Sequence, residues 1–145
     1  MTSTQTPMTP LQDFYNDMLM TAVEGGINYW ALIPEYELSD QSVNAHAKVV
    51  DYQENDIAVF DFMGHVTNWE AITEKIEKGE TPVLSLTVDA IRKAVDSLAL
   101  GRDDMPTRWQ IQALTWLDDP QDADYDAGDA DVIAQIALLG KVVYG

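Results

Sequence analysis

The string Glu24-Gly25-Gly26-Ile27-Asn28-Tyr29-Trp30 sets the tightest limit on what this chain can fold into. Ahead of it, Leu11, Phe14, Tyr15, Met18 and Ala22 recur at helical spacing, and beyond it the pattern is that of an extended segment. The period changes at two adjacent glycines, which let a backbone leave a helix through positive φ at little steric cost. A helix over 10–24 is expected, opened by Thr9 as N-cap with Pro10 at the first helical position. A strand over 27–33 follows, ended by Pro34. Glu24 then falls at the negative end of the helix dipole, unfavourable by ~0.3–1 kcal/mol, so it needs a hydrogen-bonded partner or a ligand.

The rest of the chain supplies a sheet and further helices. Val43, Ala45, Ala47 and Val49 alternate with Asn44, His46 and Lys48, which predicts a strand over 43–52. A polar turn at 53–56 and a strand over 57–62 complete an antiparallel meander. Thr67 and Glu70 have capping-box spacing for a helix over 68–78, with Trp69, Ile72 and Ile76 as its buried stripe and Gly79 as its stop. Residues 80–82 read as a linker. Thr87 caps a third helix that buries Val88, Ile91, Val95 and Leu98 and ends at Gly101. A fourth helix runs over 107–117. Asp129 caps a fifth, closed by Gly140, and 141–144 read as a short final strand. The fold class expected is α+β: a small, mostly antiparallel sheet of about four strands with helices packed on one side. Residues 1–9 are expected to be a flexible N-terminus and 10–145 a single domain.

Charge is the strong compositional signal. Twenty-five acids face eight bases in 145 residues, a formal net charge of −17. Direct binding to nucleic acid over a large surface is disfavoured, because phosphate contacts require Lys and Arg. A basic protein partner, or simple solubility, fits the balance. Residues 118–131 hold seven aspartates and no base. Within them Asp118, Asp119, Asp122, Asp124, Asp126 and Asp129 form a candidate acidic interaction surface. The absence of cysteine excludes disulfides and thiolate metal sites. No apolar run approaches the ~18–20 residues of a membrane span, and residues 1–9 lack the pattern of a signal peptide, so a cytoplasmic protein is expected.

Site residues can be named at both ends of the chain. Glu24, Asn28, Tyr29 and Trp30 offer an acid, an amide and two aromatic rings, a set suited to a planar polar ligand. Tyr29 and Trp30 read equally as core residues beside a tight turn. Asp131 and Gln135 are four apart and share one face of the fifth helix, either buried and hydrogen-bonded or on its solvent side. Both glycine-terminated helices lead into extended aromatic segments. If these lie side by side in one sheet, Glu24, Tyr29 and Trp30 meet Asp131, Gln135 and Tyr144. Asp122-x-Asp124-x-Asp126 opens like a calcium loop, but Gly128 comes one residue late and Ile133 stands where the bidentate acid belongs. The histidines, His46 and His65, have no metal-ligand spacing. No serine lies in a nucleophile motif and no glycine-rich phosphate loop occurs. No catalytic residue, metal or cofactor is assigned.

The string 24–30, taken with Asp129-Ala130-Asp131-Val132-Ile133-Ala134-Gln135-Ile136-Ala137-Leu138-Leu139-Gly140-Lys141-Val142-Val143-Tyr144-Gly145, resembles a group of small uncharacterised proteins of bacteriophages and mobile elements, notably actinobacterial ones. The resemblance implies a genetic setting, a phage accessory gene expressed in a host cell, and no mechanism. Three functions are compatible with these features. The first is a non-enzymatic acidic protein that modulates a host factor, such as a DNA mimic or anti-defence inhibitor acting on a basic host protein. The second is a nucleotide-like ligand binder or enzyme built on the two terminal motifs. The third is a virion structural protein. Exposed strand edges and a moderate core also leave room for a homo-oligomer.

Overall fold

Thr9 opens the first helix with a reciprocal cap. Its hydroxyl accepts from the Gln12 backbone N–H while the Gln12 side chain accepts from the Thr9 N–H. A computed structural model describes residues 8–38, 44–53 and 69–145. Helix α1 spans Pro10–Thr21 and continues as a single π-helical turn, Ala22–Gly26. Strands β1 (Ala31–Glu37) and β2 (His46–Asp51) follow, then helix α2 (Trp69–Glu77), strand β3 (Leu84–Thr87) and helices α3 (Val88–Leu100) and α4 (Thr107–Asp118). A 3₁₀ turn at Pro120–Asp122 leads to α5 (Ala127–Leu139). The architecture is α+β, as the sequence implies: among the described residues, five α-helices and a three-stranded antiparallel sheet in the order β1-β2-β3.

The main core lies between the sheet and the helices. Phe14, Met18 and Leu19 of α1, Ala47 and Val49 of β2, Leu86 of β3, Ile91, Val95 and Leu98 of α3, Trp116 of α4 and Ile133 of α5 are all buried in it. Side chains alternate across a strand, so Val50, next to Val49, points to the opposite face. There it meets Leu32 and Ile72 in a small second cluster that α2 covers. Most helices therefore share one face, and α2 guards a corner of the other.

Several boundaries differ from those the sequence suggests. The first strand begins at Ala31, not at residue 27, because Ile27, still fully buried, accepts backbone bonds from Trp30 and Ala31 in a turn. That strand also runs through Pro34. Among the described residues β1 is the edge of the sheet, and its register with β2 shifts between Leu32 and Glu35, so the missing N–H breaks no ladder there. Residues 84–87, next to the expected linker, pair with β2. Residues 141–144 form no strand. Trp69, expected in the buried stripe of α2, is 43% exposed, and Ile72 carries that stripe. The cap of α5 is Asp126, with Asp129 three residues later closing the capping box from inside the helix. The strand expected at 57–62, the polar turn expected at 53–56 beyond Gln53, His65 and the Thr67 cap lie outside the described residues.

Candidate functional site

The two ends of the chain meet, as their matched motifs suggested, but through side chains and not as paired strands. Gly26 makes this possible. A Cβ on Gly26 would lie 2.8 Å from the Ala127 carbonyl oxygen and 3.3 Å from the Asp131 backbone nitrogen. Only a glycine lets the π turn close onto the first turn of α5. Neither Gly25 nor Gly26 takes the positive φ that the sequence pattern suggests; Gly140, at φ +81°, does, and it ends α5 in the left-handed conformation. The value of Gly26 is thus close approach, not a reversed backbone.

With α5 this near, Asp131 faces the turn that follows the π helix. Tyr29 Oη donates to Asp131 Oδ2 at 2.6 Å, and Trp30 Nε1 donates to Oδ1 at 2.8 Å. Gln135 Nε2 donates to the same Oδ1 at 3.1 Å. Asp131 is 7% exposed and Gln135 is fully buried, so the spacing of four places both on the inward side of α5. All three donors to the carboxylate are neutral. The charge is held by oriented dipoles, not by an ion pair.

Gln135 also holds the last residues of the sequence. Its Oε1 accepts from the backbone N–H groups of Val143 (2.7 Å) and Tyr144 (2.8 Å), and its Nε2 donates to the Tyr144 carbonyl at 3.0 Å. The side-chain amide thus holds the tail by three bonds to its backbone, and 141–144 join no sheet. Tyr144 then stacks on Trp30, with ring centroids 5.4 Å apart and planes 21° from parallel. Its hydroxyl donates to the buried Asp51 at 2.8 Å. On the far side, the Tyr52 hydroxyl and Gln53 Nε2 both donate to the Tyr29 carbonyl. One polar cluster therefore ties α5, the tail, the turn before β1 and the end of β2.

Of the residues the sequence marked at its two ends, Tyr29, Trp30, Asp131, Gln135 and Tyr144 converge here. Glu24 and Asn28 do not. Glu24 is exposed on the π turn, where water screens its opposition to the helix dipole. Asn28 is exposed too, and its Nδ2 donates to the Val23 carbonyl at 3.2 Å, capping the turn. Tyr29 presents 44% of its surface to solvent while its hydroxyl end is tucked against the carboxylate. Burial of that end first, and the bond to Asp131 second, push its phenol far above the ordinary tyrosine range. Asp51, Tyr52 and Gln53 belong to the cluster and carried no sequence signal beyond lying at the end of a strand.

The acidic segment makes a second feature. Asp118, Asp119, Asp122, Asp124 and Asp126 are exposed, and Asp129 is half-buried. The 3₁₀ turn inside this segment packs on α1. A cleft of about 350 Å³ lies between them, walled by Phe14, Ala123 and Tyr125 and edged by Asp13 and Asp17. Burial first and the neighbouring Asp13 charge second raise the Asp17 carboxyl above its ordinary range. Burial likewise raises Asp129, against the backbone bond it receives from Asp126. Asp13 and Asp17 were missed in the sequence because they sit on the polar face of an ordinary amphipathic helix. Among the described residues no group of three His, Asp or Glu side chains could hold a metal. His46 lies beside Glu37, 3.4 Å away, at one end of the β1–β2 pair. No helix among the described residues is long and apolar enough to cross a membrane.

No family model, curated protein or solved structure matches the chain.

Proposed function

We propose that the protein is a non-enzymatic binding protein whose acidic face occupies a basic, nucleic-acid-binding protein of the host cytoplasm. The setting, a phage or mobile-element accessory gene, rests on the resemblance of the two terminal motifs. The observation that carries the reading is the folding of the aspartate-rich segment 118–129 against α1, which adds Asp13 and Asp17 to the same neighbourhood. Exposed carboxylates gathered on a body of net charge −17 attract a cationic surface over a Debye length and speed encounter at low salt.

The alternative, a ligand pocket built on the terminal motifs, is less well supported by the geometry. Asp131 and Gln135 spend their polar atoms on Tyr29, Trp30 and the tail. The indole face of Trp30, which a planar ligand would need, stacks on Tyr144. These contacts describe a lock that closes the fold.

The test is direct binding to a panel of purified host nucleic-acid-binding proteins at ~0.05 M and ~0.5 M salt, where screening lengths differ several-fold. Wild type is compared with a variant carrying Asp118→Asn, Asp119→Asn, Asp122→Asn and Asp124→Asn, which leaves the Asp126 cap intact. The reading expects at least one tight, salt-sensitive partner that the neutralised variant binds more weakly. Binding that ignores both salt and neutralisation, or no binding to any basic protein, overturns it.

A further inference from the structure

Helix α4 presents a face to solvent that its own fold does not use. Trp109, Ala113 and Trp116 are buried, and through them α4 packs on α3 and the 3₁₀ turn. Thr107, Ile111, Leu114 and Asp118 follow one another at spacings of four, three and four, so they line a single outward stripe. At its centre Ile111 is 62% and Leu114 50% exposed. The ends of the helix are charged against its own dipole. Arg108 stands in the first turn and Asp118 in the last, where the dipole favours the reverse. Pro106, at the N-cap, offers no side-chain acceptor, so the first N–H groups lack a cap. Among the described residues neither Arg108 nor Asp118 forms an ion pair. Arg108 lies over the Trp109 ring instead, 5.4 Å from its centroid.

We propose that this stripe is the contact of a symmetric homodimer, in which α4 of a second copy lies antiparallel on α4. The proposal goes beyond the acidic-face reading and does not rest on it. Set Ile111 of each copy against Leu114 of the other. Thr107 and Arg108 at the start of one helix then stand level with Asp118 and Leu117 at the end of the other. Each Asp118 carboxylate meets the uncapped N-terminus and the Arg108 guanidinium of the second copy, while the aliphatic pairs close the middle. One arrangement answers the apolar stripe, the missing cap and both reversed charges, and a two-fold axis repeats every contact. A parallel pair would set Asp118 on Asp118 and Arg108 on Arg108. A cationic partner would answer Asp118 but neither Arg108 nor the aliphatic centre. The acidic segments, which follow each α4, lie at opposite ends of the seam, about 18 Å apart along it. A pair of three-turn helices makes a contact smaller than the standard interface, so the dimer is weak and depends on concentration.

The experiment is sedimentation velocity on the full chain from ~1 μM to ~500 μM, at ~0.15 M salt, where the screening length is ~8 Å and the two acidic bodies repel little at a distance. Wild type should pass from monomer to dimer within that range. Ile111→Ser/Leu114→Ser changes two exposed positions, so it should keep the urea midpoint of the monomer and stay monomeric throughout. Arg108→Asp should weaken the dimer by about tenfold, because the axis doubles the loss. Arg108→Asp/Asp118→Arg, whose net charge is that of wild type, should recover most of it. Wild type that is monomeric at every concentration, a dimer that survives the serine substitutions, or a charge exchange that recovers nothing each overturn the proposal. The serine variant keeps every aspartate, so its dimer can fail while the acidic face still binds a basic protein.

Discussion

Gly25 and Gly26 are adjacent and chemically identical, yet the structure gives them different duties. A Cβ on Gly25 would sit 3.9 Å from the Ala127 Cβ, an ordinary contact, whereas one on Gly26 would be driven into the Ala127 carbonyl. Gly25→Ala is therefore expected to be neutral or slightly stabilising. Gly26→Ala should cost about 1–3 kcal/mol, because backbone on both sides must move. Urea unfolding of the two variants side by side measures the difference, and equal stabilities would contradict the packing described. Asp131 supports a second prediction at this scale. Asp131→Ala leaves the Tyr29 hydroxyl and the Trp30 indole N–H without their acceptor, one partly and one fully buried, at a cost of ~2–4 kcal/mol in the same assay.

At the scale of elements, the helices were legible and the strands less so. Helix α3 buries every residue its spacing marked, α1 buries Phe14, Tyr15 and Met18 while Leu11 is half-buried and Ala22 falls in the π turn, and Thr9 and Thr87 cap as expected. The convergence of Tyr29, Trp30, Asp131, Gln135 and Tyr144 was also legible, because both termini carry the same glycine-then-aromatic pattern. The means of convergence was not. A side-chain amide that binds the tail backbone leaves no trace in periodicity, so the tail read as a fourth strand. Strand β3 was missed because Leu84-Ser85-Leu86-Thr87 is too short, next to Pro82, to stand apart from a linker. Its pairing with β2 makes it a strand. Pro34 read as a strand end, since sequence does not show which strand is an edge. The role of Gln135 is testable at this scale. Gln135→Ala should free the tail, so the amides of Val143 and Tyr144 should lose their hydrogen-exchange protection while core amides of α3 keep theirs. Unchanged protection at those two amides would mean that Tyr144 stacking alone holds the segment.

At the scale of the whole molecule, the surplus of carboxylates shapes stability, and the proposed binding draws on the same surplus. Asp17 and Asp129 have carboxyls raised in the folded state, so the fold holds its protons more tightly than the unfolded chain does. Their contribution is fully present below the ordinary aspartate range and is lost as pH rises through the raised values. Wild type should therefore lose stability relative to Asp17→Asn on going from acid toward neutral pH, and moderate salt should return part of it by screening. Melting curves across that range in low and high salt check both statements; a variant difference independent of pH would contradict them. The same charge is asked to act on a partner, and one measurement addresses that most directly. Labelled duplex DNA is bound to host DNA-binding proteins and titrated with wild type or with the variant neutralised at Asp118, Asp119, Asp122 and Asp124. An acidic face that occupies a basic surface predicts that wild type releases the DNA from at least one of them and that the variant needs a much higher concentration. Release at equal concentrations, or DNA that stays bound throughout, would contradict the account.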